Sequence, residues 1–151
     1  MKTRVAVLHG INLGSLDRRP AEHYGGLTFT RLEQVIEAFA RELGLEPHFF
    51  QSNHEGAFVE ELHRASDYAD GLVLNPGAWT HYAWSLRDAI ELAGLPAVEV
   101  HLSDVKQREA FRQTSVITEV RRHASRCWMS DRWISTAGSP ESSTASRSDQ
   151  A

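Results

Sequence analysis

The chain has 151 residues, 41% of them apolar, with 16 Lys and Arg against 20 Asp and Glu for a net charge of −4. That is one domain's worth of chain, with enough apolar residues for a real core and no basic run to track a phosphate backbone, so nucleic acid is excluded as a partner. The single cysteine, Cys127, forbids an internal disulfide framework, and no apolar run is long enough to span a bilayer; a soluble, cytoplasmic protein is expected.

In chain order, Val5-Ala6-Val7-Leu8 predicts a short buried strand. A long polar loop follows to Gly26, with Gly10, Gly14, Gly25 and Gly26 as hinge candidates for an active-site lid. Leu32, Val35, Ile36, Phe39 and Leu43 fall at helical spacing, with Thr28 or Thr30 as cap and Gly44 as stop. Pro47 to Gln51 predicts a second strand, and Ala57 to Ala65 a second helix. Leu72-Val73-Leu74 predicts a third strand, about Thr80 to Ala93 a third helix, Ala97 to His101 a fourth strand and about Asp104 to Phe111 a fourth helix. Strict alternation of strand and helix implies a parallel sheet with helices on both faces. The segment Thr118 to Arg126 is too charged for a strand buried on both sides, and residues 135–151 have the composition of a disordered tail. The expected organisation is one domain over 1–134 followed by that tail.

Open parallel sheets bind ligands where their strands end. Glu99, His101 and Ser103 alternate onto one side of the fourth strand, so a carboxylate can hold one imidazole nitrogen and leave the other for a ligand. Arg108 and Arg112, four apart on the expected helix, would share a face that an anion relieves, and the amides of Leu102 and Ser103 would lie at that helix's start. Asn75 ends the third strand, and His81 follows the Pro76-Gly77 turn. In the lid, Tyr24 near Arg18 and Arg19 has the surroundings that a tyrosinate base requires, because nearby cations favour the phenolate. Each residue also has a plainer reading: an ion pair at a sheet edge, solvated arginines, a histidine satisfied by backbone. His9-Gly10-Ile11-Asn12-Leu13-Gly14 is neither a dinucleotide fingerprint nor a Walker loop, and the eight histidines show no metal-binding spacing.

Together these residues resemble the type II 3-dehydroquinate dehydratases over about three quarters of the chain. The blocks are Arg19 with Tyr24-Gly25, Phe50-Gln51-Ser52-Asn53-His54-Glu55-Gly56, Leu74-Asn75-Pro76-Gly77-Ala78, Thr80-His81, Leu86-Arg87-Asp88-Ala89, Val98-Glu99-Val100-His101-Leu102-Ser103, and Arg108-Glu109-Ala110-Phe111-Arg112 with Ser115. The resemblance implies a flavodoxin-like fold of strand order 2-1-3-4-5, a trimer-based dodecamer, no cofactor, and elimination of water from 3-dehydroquinate to 3-dehydroshikimate. It implies Tyr24 as base beside Arg19 and Arg108, Asn12 holding a water for the enolate, and His101, oriented by Glu99, as acid. It further implies Asn75 with the Leu102 and Ser103 amides on the substrate carboxylate, His81 and Arg112 on ring hydroxyls, and Asp88 entering from a neighbouring subunit. The family's Asn-Gly-Pro-Asn loop is here His9-Gly10-Ile11-Asn12, and its Arg-Glu-Pro lid is Arg19-Pro20-Ala21. Its final apolar strand and helix have no evident counterpart, which leaves the fifth strand open. Two other readings stand beside the dehydratase: a catalytically weak paralogue that binds ligands or acts as a scaffold, and a dehydratase of a related cyclic keto acid. A flavin or nucleotide carrier on the same fold is a poorer third.

Overall fold

The computed structural model describes residues 3–21, 26–104 and 107–117, and the backbone of 125–128. Four strands, β1 (Thr3–His9), β2 (Leu45–Gln51), β3 (Gly71–Asn75) and β4 (Ala97–His101), form a parallel sheet in the order β2-β1-β3-β4. Helix α1 (Phe29–Glu42) follows β1, α2 (Glu55–Tyr68) follows β2, and α3 (Trp84–Ala93) follows β3. Pro47 sits in β2, which pairs with β1 alone among the described residues; the Ser52 amide faces β1, donating to the His9 carbonyl at 3.1 Å, so by alternation the Pro47 nitrogen faces away and its missing N–H costs no ladder bond.

Alternating strand residues divide the core. Ala6, Leu8, Leu72 and Leu74 pack with Phe58, Leu62, Leu86 and Ile90 from α2 and α3, all of them buried. Leu13, Leu16, Leu27, Leu32 and Leu102 form a smaller cluster on the side of α1. Thr28 caps α1, its hydroxyl accepting from the Arg31 amide at 3.1 Å. Of the expected inward stripe on α1, Leu32 is buried and Val35 and Ile36 are partly so. Phe39 and Leu43 stay exposed, since no other described helix covers that face. No described helix is long and apolar enough to cross a membrane.

Three expectations are corrected. The loop after β1 is not structureless: Leu13–Arg18 forms tight 3-10 turns that bury Leu13 and Leu16. The third helix does not start at Thr80. Gly77–His81 is a separate 3-10 turn, and the chain reaches α3 only after Tyr82 and Ala83 leave helical geometry. This break lets Trp79 pack edge-on to Phe58 at 5.5 Å while the buried Thr80 hydroxyl meets Glu99. In place of a continuous fourth helix, the Gln107 amide donates to the Asp104 carbonyl at 3.1 Å and a separate 3-10 turn follows at Ala110–Arg112, with Glu109 between them extended at φ −56°, ψ 148°. Non-helical bonds outweigh helical propensity there: the Gln113 side chain donates locally to the Arg108 carbonyl at 3.0 Å, and the Val116 amide donates across the fold to the Thr80 carbonyl at 2.9 Å.

At the far edge, the backbone of β5 (Ser125–Trp128) pairs in parallel with β4, Val98 opposite Ser125 and His101 opposite Trp128. The charged run that argued against a strand ends at Arg126, and an edge strand need not be buried on both sides. The expected tail, 135–151, lies outside the described residues.

His9, the last residue of β1, is 3% exposed. Its ring lies edge-on to Phe29 at 5.1 Å and stacked on Phe49 at 6.3 Å, and neither nitrogen has a hydrogen-bond partner among the described residues. Burial therefore lowers its pKa from 6.5 to about 4. Between those values the unfolded chain binds a proton that the folded chain refuses, so stability falls as pH falls from 6.5 to 4. At about 1.4 kcal/mol per pH unit the loss is on the order of 3 kcal/mol. Urea unfolding of the protein and of His9→Leu at pH 7 and pH 4.5 checks this. The substituted protein should lack that part of the acid sensitivity, and equal losses in both would refute the assignment.

Candidate active site

The strand ends of β1, β3 and β4 open into one cavity. Ile11, Asn12, Leu13, Arg19, Asn75, Gly77, Ala78, His81, His101, Leu102, Ser103, Arg108 and Arg112 line it. Nine of the twelve residues singled out in the sequence meet here, although they come from five separate stretches of chain. Glu99 stands behind His101 rather than in the cavity wall. Tyr24 lies outside the described residues. Asp88 is exposed on α3 and does not line the cavity.

One wall is built by two loops packed backbone against backbone. The Gly10 amide donates to the Asn75 carbonyl at 2.8 Å. A Cβ on Gly10 would fall 2.3 Å from the Pro76 carbonyl oxygen, and one on Gly77, at φ +66°, 2.7 Å from that of Ile11. Only glycine permits so close an approach. Asn12 adopts the left-handed conformation at φ 66°, and its amide donates to the Asn53 side-chain oxygen at 2.8 Å. Gln51 donates to the Gly10 carbonyl at 3.3 Å. The Gln51-Ser52-Asn53 stretch thus holds the loop that presents Asn12.

The opposite wall carries the charge. Arg108 donates to the Ser103 hydroxyl at 3.4 Å, and both Arg108 and Arg112 contact the Glu109 carboxylate, at 3.4 and 3.1 Å. The Arg112 guanidinium also lies over the Phe111 ring, 5.0 Å from its centre. Arg108 reaches the cavity from irregular chain and Arg112 from the end of the 3-10 turn, so they do not share one helical face. The amides of Leu102 and Ser103 precede no α-helix among the described residues. Three arginines lining one cavity, two of them in contact with Glu109, suit it to an anion.

At the base of the cavity Glu99 and His101 form a buried pair, His101 Nε2 lying 2.6 Å from Glu99 Oε1, with the two residues 1% and 6% exposed. Thr80 donates to the same Oε1, and the Ser115 hydroxyl donates to Oε2 at 2.9 Å. Sequence reasoning gave neither hydroxyl a role. Ser115 is 16 residues from Glu99 and Thr80 is 19, and no local periodicity connects them. His81 Nδ1 lies 2.7 Å from the Thr114 carbonyl. Burial, with the charges of His101 and Arg112 adding to it, lowers the His81 pKa against the opposing effects of that bond and of Glu99. Neutral His81 donates from Nδ1 to the carbonyl and keeps Nε2 as an acceptor. No group of three or more metal-ligating side chains occurs among the described residues.

The dehydroquinase class II family model matches residues 3–126. The chain belongs to the class II dehydroquinase family. It is 48% identical over 117 residues to the 3-dehydroquinate dehydratase of Pelotomaculum thermopropionicum, covering 78% of this chain and 81% of that one. Identity to the 3-dehydroquinate dehydratase of Bacillus licheniformis is also 48%, over 118 residues, with the same coverage. Among solved structures, the type II dehydroquinase of Propionibacterium acnes superposes with a TM-score of 0.80 at 33% identity, covering 91% of this chain and 94% of that one. That of Butyrivibrio crossotus gives 0.79 at 34% identity, with 84% and 88% covered. The dehydroquinase fold expected from the sequence is therefore the fold of this chain.

Proposed function

We propose that this chain is a type II 3-dehydroquinate dehydratase, a hydro-lyase that eliminates water from 3-dehydroquinate to give 3-dehydroshikimate. The observation that carries the reading is the cavity itself: three arginines and Asn12 around a buried Glu99–His101 pair at the strand ends. A proton next to a ketone is only weakly acidic, so its removal requires a strong base and a stabilised enolate. Tyr24 is assigned as that base, its phenolate favoured by Arg19 and Arg108, and Asn12 as the residue that holds a water against the enolate oxygen. The enolate's electron pair then forms the ring double bond as the C–O bond breaks. His101 delivers a proton to the departing hydroxyl, which leaves as water.

Substrate carboxylate is assigned to Asn75 and the amides of Leu102 and Ser103, and ring hydroxyls to His81 and Arg112. Asp88 is assigned to a neighbouring subunit's site. Assembly into trimers and a dodecamer fits the exposed Tyr82, Trp84 and Leu92, 56%, 61% and 76% accessible on and just before the helix that carries Asp88. The ligand-binding or scaffold reading has no observation in its favour. The product is a conjugated enone carboxylate, so ultraviolet absorbance should grow when 3-dehydroquinate is added. No growth above background would overturn the proposal.

Binding separates from chemistry in two substitutions. Arg112→Ala and His81→Ala should each weaken an unreactive substrate analogue about tenfold or more, since each loses a hydrogen bond to the ligand and one of them is charged. Circular dichroism should stay that of the unmodified protein. An unchanged calorimetric affinity would remove both residues from the binding set.

A further inference from the structure

The Glu99 carboxylate is enclosed by donors. Thr80, fully buried, donates to Oε1, His101 Nε2 lies 2.6 Å from the same oxygen, and Ser115 donates at 2.9 Å to Oε2. The proton count is informative. The Ser115 oxygen already accepts from the Ile117 amide at 3.1 Å, which leaves its own proton to give away. Thr80 and Ser115 also stand 2.8 Å apart, so the two hydroxyls and the carboxylate form a closed triangle with two hydroxyl protons available. An ionised carboxylate accepts both. It also obliges His101 Nε2 to be the donor in their contact, because a carboxylate has no proton to offer. A carboxyl that accepts two or three hydrogen bonds is held strongly in its anionic form.

We propose that Thr80 and Ser115 are positioning residues for the acid of the reaction: their hydroxyls hold the Glu99 carboxylate ionised and oriented, so that His101 keeps Nε2–H on Glu99 and turns Nδ1 to the leaving hydroxyl. Neither hydroxyl residue lines the cavity, so neither touches substrate and both act through Glu99. The inference rests on the dehydratase reading for its catalytic consequence, but the tautomer it assigns does not depend on which substrate is bound. The other charged and titratable groups that share the cavity with His101 are Arg19, His81, Arg108 and Arg112. Backbone contacts keep the segment that carries Arg112 in place when the Ser115 hydroxyl is removed. Val116 N donates to the Thr80 carbonyl at 2.9 Å, Arg87 donates to the Val116 carbonyl at 3.0 Å, and Thr114 accepts from His81 at 2.7 Å. Substrate affinity should therefore be spared.

The test compares Ser115→Ala, Thr80→Val and Thr80→Ser with the unmodified enzyme. Ser115→Ala and Thr80→Val should lower kcat about tenfold or more, the usual scale for one hydrogen bond to a charged group, with KM changed less than about threefold. Thr80→Ser, which keeps the hydroxyl, should restore most of kcat. Nitrogen-15 spectra of the His101 ring supply a readout independent of turnover. The unmodified protein should show the Nε2–H tautomer when neutral. In Ser115→Ala and Thr80→Val the Nε2–H proton resonance should move downfield, because a carboxylate with fewer other donors accepts more strongly from the one that remains. If Ser115→Ala does not fold, the Thr80→Val and Thr80→Ser comparison decides alone. An unmodified protein without turnover overturns the dehydratase reading, while the ring spectra still judge the positioning. An active enzyme whose kcat and His101 ring spectra are unaltered by both hydroxyl deletions overturns the positioning.

Discussion

Tyr24→Phe should lower turnover by about 10²–10⁴-fold, the range that a positioned general base contributes, while leaving affinity for an unreactive analogue roughly intact. Phenylalanine keeps the ring and removes only the oxygen that takes the proton. In the proposed mechanism the phenolate's cations are Arg19 and Arg108, which both line the cavity, and cations favour the anionic form of a group whose ordinary pKa is near 10. A companion result follows from the same charge balance. With Arg19→Ala the phenolate loses a cation, its pKa rises, and the limb over which activity increases with pH moves to higher pH. Steady-state absorbance assays across pH, with calorimetry for the analogue, measure both effects. Near-normal turnover by Tyr24→Phe would remove Tyr24 from the base position.

What the sequence made legible and what it hid follow from one distinction, between local periodicity and tertiary contact. Period-two alternation in Ala97–His101 was enough to put Glu99 and His101 on one side of a strand, and they are in contact at 2.6 Å. Alternating strands and helices were enough for a parallel sheet with its cavity at the strand ends. The segment after Asp104 has helical spacing and good helix formers, yet its described part is extended at Glu109 because its bonds go to Thr80, His81 and Glu99 instead. The split of the third helix has the same cause: the 3-10 turn at Gly77–His81 sends Trp79 into the core and Thr80 to Glu99. For this reason the sequence assigns no role to the hydroxyls of Thr80 and Ser115. A serine and a threonine are ordinary residues until a buried carboxylate lies between them.

Glu99→Gln tests how much of the site depends on that carboxylate. The amide keeps the size and one acceptor oxygen, but replaces the other oxygen by an NH₂ group that only donates. If the NH₂ faces His101, Nε2 must become an acceptor, which moves the ring proton to Nδ1 and disfavours the charged imidazolium. If it faces Ser115, the hydroxyl must turn to accept while its oxygen already takes the Ile117 amide, and His101 still loses its anionic partner. In either arrangement the imidazolium that should protonate the leaving hydroxyl is no longer stabilised by a buried charge. A fall in kcat of about 10²–10⁴-fold is expected. Folding should survive, with a stability loss of about 1–3 kcal/mol where one buried polar group goes unsatisfied. Analogue affinity should change little, since Asn75, His81, Arg112 and the Leu102 and Ser103 amides are untouched. A folded Glu99→Gln enzyme with kcat within about threefold of the unmodified protein would show that His101 acts without Glu99, and would return the pair to a structural ion pair at the end of β4.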